Sequence, residues 1–401
     1  MFTQKEWLVT MLKGRRIRLY PTEEQAQTFF RYAGASRFAY NECVAYCKAQ
    51  YQAGRTGIVK QPELRQHLRD LRDNTPGYEW LRDIPEAVVK QATQDFDKAR
   101  AKAFKKRAGF PRFHKSQPSK ASFYQRTDAF HTTKHGVKIT GIKNPVRVKF
   151  RKFPDHALNT RVVWDGKYWY LSYAYETGTE PAKPRECGAT LGIDLGIKNL
   201  AVVSDGRIYT NVNYGKEVKK LEKRKRHLQR RLSKKLESNR QGTRFVHTSN
   251  SNKLQRKVAL LNRKLTNVRS TYIDEVIKDI LSARPKLIVI EDLNVRGMMK
   301  NRHLARSIAN QKFAEFANKL CRKCEEAGIG LVKADRWFPS SKTCSGCGFR
   351  KQNLSLAKRT YVCEHCGLTI DRDLNAALNL ANYPSVAGKL SPGRIKPALV
   401  A

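Results

Sequence analysis

Polar and apolar positions alternate along RRIRLY, Arg15 to Tyr20, as they do in a strand. Pro21 followed by Thr22-Glu23-Glu24-Gln25 is then a capping-box signature for a helix start. Helical patterning continues with breaks to about Ala108, and Phe29, Phe30, Phe38, Tyr46 and Cys47 are expected to line one side of a helical bundle. From about Phe110 short alternating runs take over: KASFYQ, HGVKIT, PVRVKF and VVWDGKYWYLSYAYE. In the last of these Asp165-Gly166 stands between two alternating stretches, the pattern of a two-residue hairpin turn. The expected product is a small β-barrel. TGTEPAKPRE, residues 177–186, has two prolines and no periodicity and reads as a linker.

A second domain is expected from Cys187, where ATLGIDLGIKNLAVVSDGRIYT reads as strand, turn, strand, Asp-Gly turn, strand. Two long helices follow. The first, KEVKKLEKRKRHLQRRLSKKL, has Val218, Leu221, Leu228 and Leu232 on one face and is cationic over most of the rest. The second carries Leu254, Val258, Leu261, Leu265, Val268, Tyr272, Val276 and Ile280 at steps of three and four. The polar stretch SNRQGTRFVHTSNSNK lies between them as a loop. PKLIVIEDL is a buried strand, a helix follows near Ile308 to Ala327, and GIGLVKAD is another strand. Strand meander, helix, strand, helix, strand is the order of a ribonuclease-H-like α/β domain. The tail beyond Pro384, rich in Gly, Pro and Lys, is expected to be disordered.

Charge narrows the partner. The chain has 401 residues with 79 Lys+Arg against 35 Asp+Glu, a formal net charge of +44. Such an excess repels itself and calls for a polyanion, which points to nucleic acid. Hydrophobic residues still make up 40% of the chain, so a core can form and a histone-like tail is excluded. Since no apolar run approaches the roughly 20 residues of a membrane span, no membrane partner is expected. Without a secretory leader pattern at the N-terminus, the expected location is a prokaryotic cytoplasm, associated with the nucleoid. Nine cysteines, an odd number with four in tight CxxC pairs, suit a reducing compartment and a bound metal.

In so basic a chain, carboxylates at the ends of apolar strands stand out. Asp194 ends the run TLGI and is followed by Leu195-Gly196, Glu291 ends LIVI, and Asp371 and Asp373 lie in TIDRDLNAALNL. Three acids brought together would repel one another unless a divalent cation neutralised them. Such a site can hold two Mg²⁺ about 3.5–4 Å apart, one preparing water for in-line attack on a phosphodiester and one stabilising the leaving oxygen. Plainer roles compete. A strand-end Asp is often a turn or cap residue, Asp371 is an alternative to Asp373 with N-capping as its ordinary role, and Asp292 competes with Glu291. GIDLG also resembles the phosphate-binding turn of actin-like ATPases, but the further Gly-rich nucleotide loops are missing.

Cys344-Ser-Gly-Cys347 and Cys363-Glu-His-Cys366, with fifteen residues between the pairs, have the spacing of two knuckles around one structural Zn²⁺. His365 is an alternative ligand to Cys366. Cys321 and Cys324 form a further CxxC inside a helical stretch, where ordinary helix positions are expected. Trp337-Phe338, beside the ribbon, could stack bases, with core packing as the expected use.

Taken in order, RRIRLYPTEEQ, GFPRFHK, GIDLGIKNLAVVSDG, IVIEDLNVRGMMKN, DRWFPSSKTCSGCG and DRDLNAALN make the chain resemble the TnpB family, transposon-encoded RNA-guided nucleases related to the miniature type V CRISPR effectors. The resemblance spans most of residues 14–382. It implies a multidomain α/β plus β-barrel protein: a wedge-type barrel with an inserted helical recognition domain, then a RuvC-like, ribonuclease-H-like nuclease domain with an inserted zinc ribbon. The implied segments are 1–20 and 110–186 for the barrel and linker, 21–109 for recognition, 187–338 and 369–383 for the nuclease, 339–368 for the ribbon and 384–401 for the tail. Asp194, Glu291 and Asp373 match the family's catalytic triad and would carry Mg²⁺, with Cys344, Cys347, Cys363 and Cys366 on Zn²⁺. The implied activity is cleavage of double-stranded target DNA next to a short adjacent motif, directed by a guide RNA. Such strand exchange is nearly balanced in free energy, so no ATPase motif is needed. The cationic helix from Lys216 to Leu236 and the helical N-terminal half would then wall the nucleic-acid channel. Alternatives are a miniature type V CRISPR effector nuclease, a guide-binding regulator that does not cleave, and a guide-independent transposase.

Overall fold

The structure, a computed structural model, describes residues 12–105, 107–117, 120–126, 131–133, 136–149, 157–177, 182–355 and 358–384. The tail from 385 onward and part of the expected linker lie outside the described residues. The chain divides into two compact units, residues 1–179 with 228–263, and residues 180–227 with 264–401.

The chain opens with strand β1 (Leu12–Tyr20) and helices α1 (Glu23–Gln52), α2 (Gln61–Asn74) and α3 (Glu86–Phe104). Strands β2 (Ala121–Tyr124), β3 (His131–Thr133), β4 (Gly136–Lys138), β5 (Arg147–Val148), β6 (Ala157–Trp164) and β7 (Trp169–Glu176) follow. Next come β8 (Thr190–Asp194), β9 (Asn199–Val203), β10 (Ile208–Thr210), helix α4 (Lys216–Ser238), the short strands β11 (Arg240–Gln241) and β12 (Arg244–Phe245), and helix α5 (Ser249–Ser282). The last stretch has β13 (Leu287–Glu291), α6 (Val295–Met298), α7 (Ala305–Gln311), α8 (Phe313–Ala327), β14 (Gly330–Ala334), β15 (Thr360–Val362), β16 (Thr369–Asp371) and α9 (Arg372–Ala381).

In the first unit an antiparallel sheet has the order β2-β6-β7-β1-β5. Ile17 and Leu19 of β1 face its core, where Phe29 of α1 meets Phe123 and Trp169. The capping box at Thr22 forms: Gln25 N–H donates to Thr22 Oγ1 and Thr22 N–H to Gln25 Oε1. The five residues expected along one side of a bundle separate, because a 30-residue helix outruns any single core. Phe29 belongs to the sheet core and Cys47 to a helical core with Leu64 and Phe96, while Phe30 is 45% exposed. The hairpin loop is also longer than expected. Trp164 pairs with Trp169, so four residues turn, held by the Asp165 carboxylate accepting the N–H groups of Lys167 and Tyr168. Leu228 and Leu232 of α4 pack with Leu254, Val258 and Leu261 of α5, which starts at Ser249, inside the stretch expected to be a loop.

The second unit is built on a mixed sheet, β10-β9-β8-β13-β14, with β8, β13 and β14 parallel and β8–β9–β10 an antiparallel meander. Because successive side chains in a strand take opposite faces, each parallel strand serves two layers. Leu191, Ile193, Ile288 and Ile290 pack with Ile273, Val276 and Ile280 of α5 and Phe313, Phe316 and Leu320 of α8. Val289 belongs to the opposite face, with Leu380 of α9. The helix expected near 308–327 is two, α7 and α8, broken at Lys312, whose φ of 57° is left-handed.

Candidate active site and metal centre

The second face of the sheet places the acids. Gly192 and Asp194 alternate with Leu191 and Ile193 on β8, and Glu291 alternates with Ile290 on β13. Ile193 pairs with Ile290, so Asp194 and Glu291 come one residue later on adjacent parallel strands and share the face that α9 covers. Helix α9 lies so close to β8 that a Cβ on Gly192 would sit 2.0 Å from the Ala377 carbonyl oxygen and 2.4 Å from the Ala381 nitrogen. Glycine is therefore required at 192, and the close seat of α9 brings Asp373, in its first turn, to the ends of β8 and β13.

Asp194 retains some accessible surface, but burial, first, and then the charges of Glu291 and Asp373 hold its carboxyl well above the usual carboxylate range, with Arg372 opposing. Burial also raises the Glu291 carboxyl, and the Ser340 hydroxyl, donating to it at 2.5 Å, pulls the other way. Arg372 reaches Asp373 at 3.3 Å and Arg359 at 3.7 Å. Asp371 caps α9, accepting from the N–H groups of Asp373 and Leu374. Asp292 instead pairs with Arg336 at 2.6 Å. Of the nearby carboxylates Asp194 thus feels Glu291 and Asp373 most and Asp371 less, with Asp371 also capping α9 and Asp292 held in an ion pair. A set of partly buried carboxyls of like charge fits oxygen-ligated divalent cations. Gln311 steadies the turn after Asp194 by donating to the carbonyls of Gly196 and Ile197.

Cys344, Cys347, Cys363 and Cys366 place their sulfurs within 4.8 Å of one another. Two of the pairs, 344–366 and 347–363, lie at 3.6 Å, close to the ~3.8 Å edge of a thiolate tetrahedron around Zn²⁺. His365 contributes its backbone N–H to Cys363 Sγ. The N–H of Cys366, and with it that of His365, bring the Cys363 thiol down to about 6 despite desolvation, whereas Cys347, against a backbone hydrogen bond at Phe349, is pushed up to about 12 by desolvation and by hydrogen bonds with the other three cysteines, so without a metal the cluster holds its thiolate at Cys363. Gly348 and Gly367, at φ of 76° and 73°, close the two knuckles. Cys321 and Cys324 are α8 residues, and Cys324 packs in the core.

Besides Gln311 and Arg372, four more supporting residues had not been singled out from sequence. Ser340 holds Glu291, and Arg359 pairs with Asp373 from the ribbon. Asn375 and Asn379, one turn apart on α9, donate to the Thr343 carbonyl, and Asn379 also donates to that of Ser340. The asparagine pair ties the first knuckle to the helix bearing Asp373. Its signal in the sequence was two amides at i and i+4 on an otherwise apolar helix face. Trp337 departs from expectation in being solvent-exposed, while Phe338 packs edge-on against Tyr383 at 4.9 Å.

The first unit presents a basic surface. Arg16 lies over the Tyr170 ring at 4.0 Å and Arg18 over Tyr168 at 3.4 Å, and Arg263 donates to Asp165 and to Tyr170 Oη. A cleft of about 820 Å³ is lined in part by Arg16, Arg37, Lys115, Lys120 and Arg161. Among the described residues no helix is long and apolar enough to cross a membrane.

Three family models match: "Probable transposase" over residues 172–302, "Cas12f1-like, TNB domain" over 313–380, and "Helix-turn-helix domain" over 11–56. In the last of these segments the structure has a strand and one continuous helix. A "Putative RNA-guided DNA endonuclease" of Streptomyces pristinaespiralis is 30% identical over 370 residues, 91% of this chain and 87% of that one. The "Putative RNA-guided DNA endonuclease InsQ" of Escherichia coli K12 is 28% identical, covering 92% of this chain and 91% of its own. "CRISPR-associated endodeoxyribonuclease Cas12f1" of Sulfoacidibacillus thermotolerans is 26% identical over 53% of this chain and 50% of that protein. With 30% identity sustained over most of both sequences, the chain belongs to the TnpB family, whose members carry these RNA-guided DNA endonuclease names.

Proposed function

We propose that this protein is an RNA-guided DNA endonuclease in which Asp194, Glu291 and Asp373 hold two Mg²⁺ at the cleaved phosphodiester. The observation that carries the proposal is the meeting of two strand-end carboxylates and a helix-borne one on a single sheet face, with Gly192 shaped for the helix that brings the third. When bound, Mg²⁺ would supply an activated water and charge stabilisation for the leaving oxygen. The chain's own residues do the positioning. Ser340 fixes the Glu291 carboxylate, Gln311 fixes the turn behind Asp194, and Arg372 and Arg359 hold Asp373.

In this reading the second unit's mixed sheet and helices form a RuvC-like, ribonuclease-H-like nuclease domain, interrupted at 339–368 by a ribbon on one structural Zn²⁺. The first unit supplies a wedge-type barrel and a helical recognition domain for guide RNA and double-stranded DNA. Its basic cleft and arginine–tyrosine pairs support a polyanionic partner. Base pairing with the guide selects the target, and the protein reads only a short adjacent motif.

The test is cleavage of a matched duplex by protein purified with its RNA, the copurifying RNA being sequenced to define the target. Wild type with Mg²⁺ should cut, and Asp194→Ala, Glu291→Gln and Asp373→Asn should each lose about a thousandfold or more while still binding, the scale for a member of a cooperating catalytic set. A matched target left intact by wild type, or cut equally by Asp194→Ala, overturns the proposal.

A further inference from the structure

Between the end of β14 and the four-cysteine ribbon stands the most exposed of the large hydrophobic side chains among the described residues, Trp337, at 84%. An indole left in water forgoes the 150–250 Å² of burial that aromatic rings usually contribute. Fraying does not explain the exposure, because the backbone beneath the ring is pinned. Trp337 N–H donates to Asp335 Oδ1 at 2.9 Å, Phe338 N–H to the Asp335 carbonyl at 2.9 Å, and Asp335 N–H to Tyr383 Oη at 3.2 Å. The neighbours on both sides turn inward, Arg336 to Asp292 and Phe338 to Tyr383. The indole itself makes no ring contact and no hydrogen bond among the described residues. A single exposed apolar residue is ordinary. This one is held out by a fixed segment that, three residues later, supplies the Ser340 hydroxyl to Glu291.

We propose that Trp337 is a stacking platform for one unpaired nucleobase of the DNA strand led to the acid cluster, a positioning residue that keeps the neighbouring phosphate in register. The ring offers a flat apolar face on a chain of net charge +44, and of the cations beside it Arg336, half exposed, is paired with Asp292 while Lys342 donates to the Gln352 carbonyl, so the stack itself and not a local excess of charge holds the base. Inside a duplex both faces of a base are covered by its neighbours, so the occupant is single-stranded. Stacking tolerates any base, which suits a protein whose sequence discrimination comes from pairing to a guide. The purpose of the platform rests on the nuclease reading, but its test does not.

The full chain, without divalent metal, is mixed with a short single-stranded DNA carrying one 5-iodouracil, irradiated to cross-link that base to a ring stacked on it, and the linked peptide is mapped. The peptide bearing Trp337 is the expected product. Trp337→Ala should abolish that cross-link and weaken binding about fivefold or more, the lower end of what one base–aromatic stack contributes. Trp337→Phe should keep most of the affinity, and neither variant should change the melting temperature, since the ring is outside the core. Absence of a cross-link at Trp337, or unchanged affinity in Trp337→Ala, overturns the proposal. So does a self-association of the chain, measured by sedimentation without DNA, that Trp337→Ala removes. Failure of the nuclease reading shows separately, as a matched target left intact by wild type with Mg²⁺.

Discussion

Asp194 shows how a single residue can be anticipated in position and still depend on its surroundings for its chemistry. Ending an apolar run marked it, but its raised carboxyl comes from burial and from Glu291 and Asp373, residues far away in sequence. That shift has a consequence for stability. A carboxyl raised above its unfolded value of about 3.9 stabilises the fold while protonated below that value, and the contribution is lost as pH rises through the folded value. Metal-free Asp194→Asn should therefore melt higher than metal-free wild type near pH 7.5, by about 2–4 °C per kcal/mol relieved in a domain of this size. Thermal unfolding across pH should show the gap closing toward pH 4, and Mg²⁺ should raise the melting temperature of wild type more than that of the variant. Equal melting temperatures at every pH would contradict the burial argument. Ser340 and Arg359 carried no such mark in sequence. Serines and arginines are common throughout a basic chain, and only contact with Glu291 and Asp373 sets these two apart.

Helices and strands were legible where local chemistry decides. The capping box at Thr22, the strands ending in Asp194 and Glu291 and the stripe of α5 all follow local periodicity. The break at Lys312 was not legible, since neither Gly nor Pro marks it, and neither was the four-residue turn at Asp165, which a side chain stabilises. Helix α9 seats closely on β8. Gly192→Ala would push a methyl group into the Ala377 carbonyl and the Ala381 nitrogen, backbone atoms with no rotamer to give way. The expected cost is about 1–3 kcal/mol of stability, as for other overpacked cores. Displacing Asp373 by about 1 Å should also cost about a hundredfold in cleavage rate. Full activity in Gly192→Ala, with unchanged unfolding, would show that α9 can retreat without moving the acid. The ribbon is the second such element. Purified protein should contain close to one Zn²⁺ per chain, and Cys363→Ser should remove the metal, expose 344–371 to hydrogen exchange and abolish cleavage through the Asn375 and Asn379 ties. A metal-to-protein ratio near zero would rule the zinc centre out.

For the whole molecule, the +44 charge and the absence of long apolar runs already pointed to a nucleic-acid partner. Organisation was less legible than charge. The two units are not consecutive segments, because 228–263, the outer parts of α4 and α5, group with the first unit while the remainder of both helices groups with the second. A helix whose apolar stripe runs its full length gives no local sign of where its packing partner changes. Composition, the CxxC spacing and the strand and helix periods are properties of neighbouring residues, so the amino-acid sequence by itself pointed to a polyanionic partner, brought out the four paired cysteines and determined most elements. Which acids meet depends on parallel register between β8 and β13 and on the depth at which α9 seats over Gly192, and which amides tie the ribbon to α9 depends on that same seat. Those are relations between residues brought together across long chain separations by burial of the sheet's two faces, and only the tertiary structure decided them.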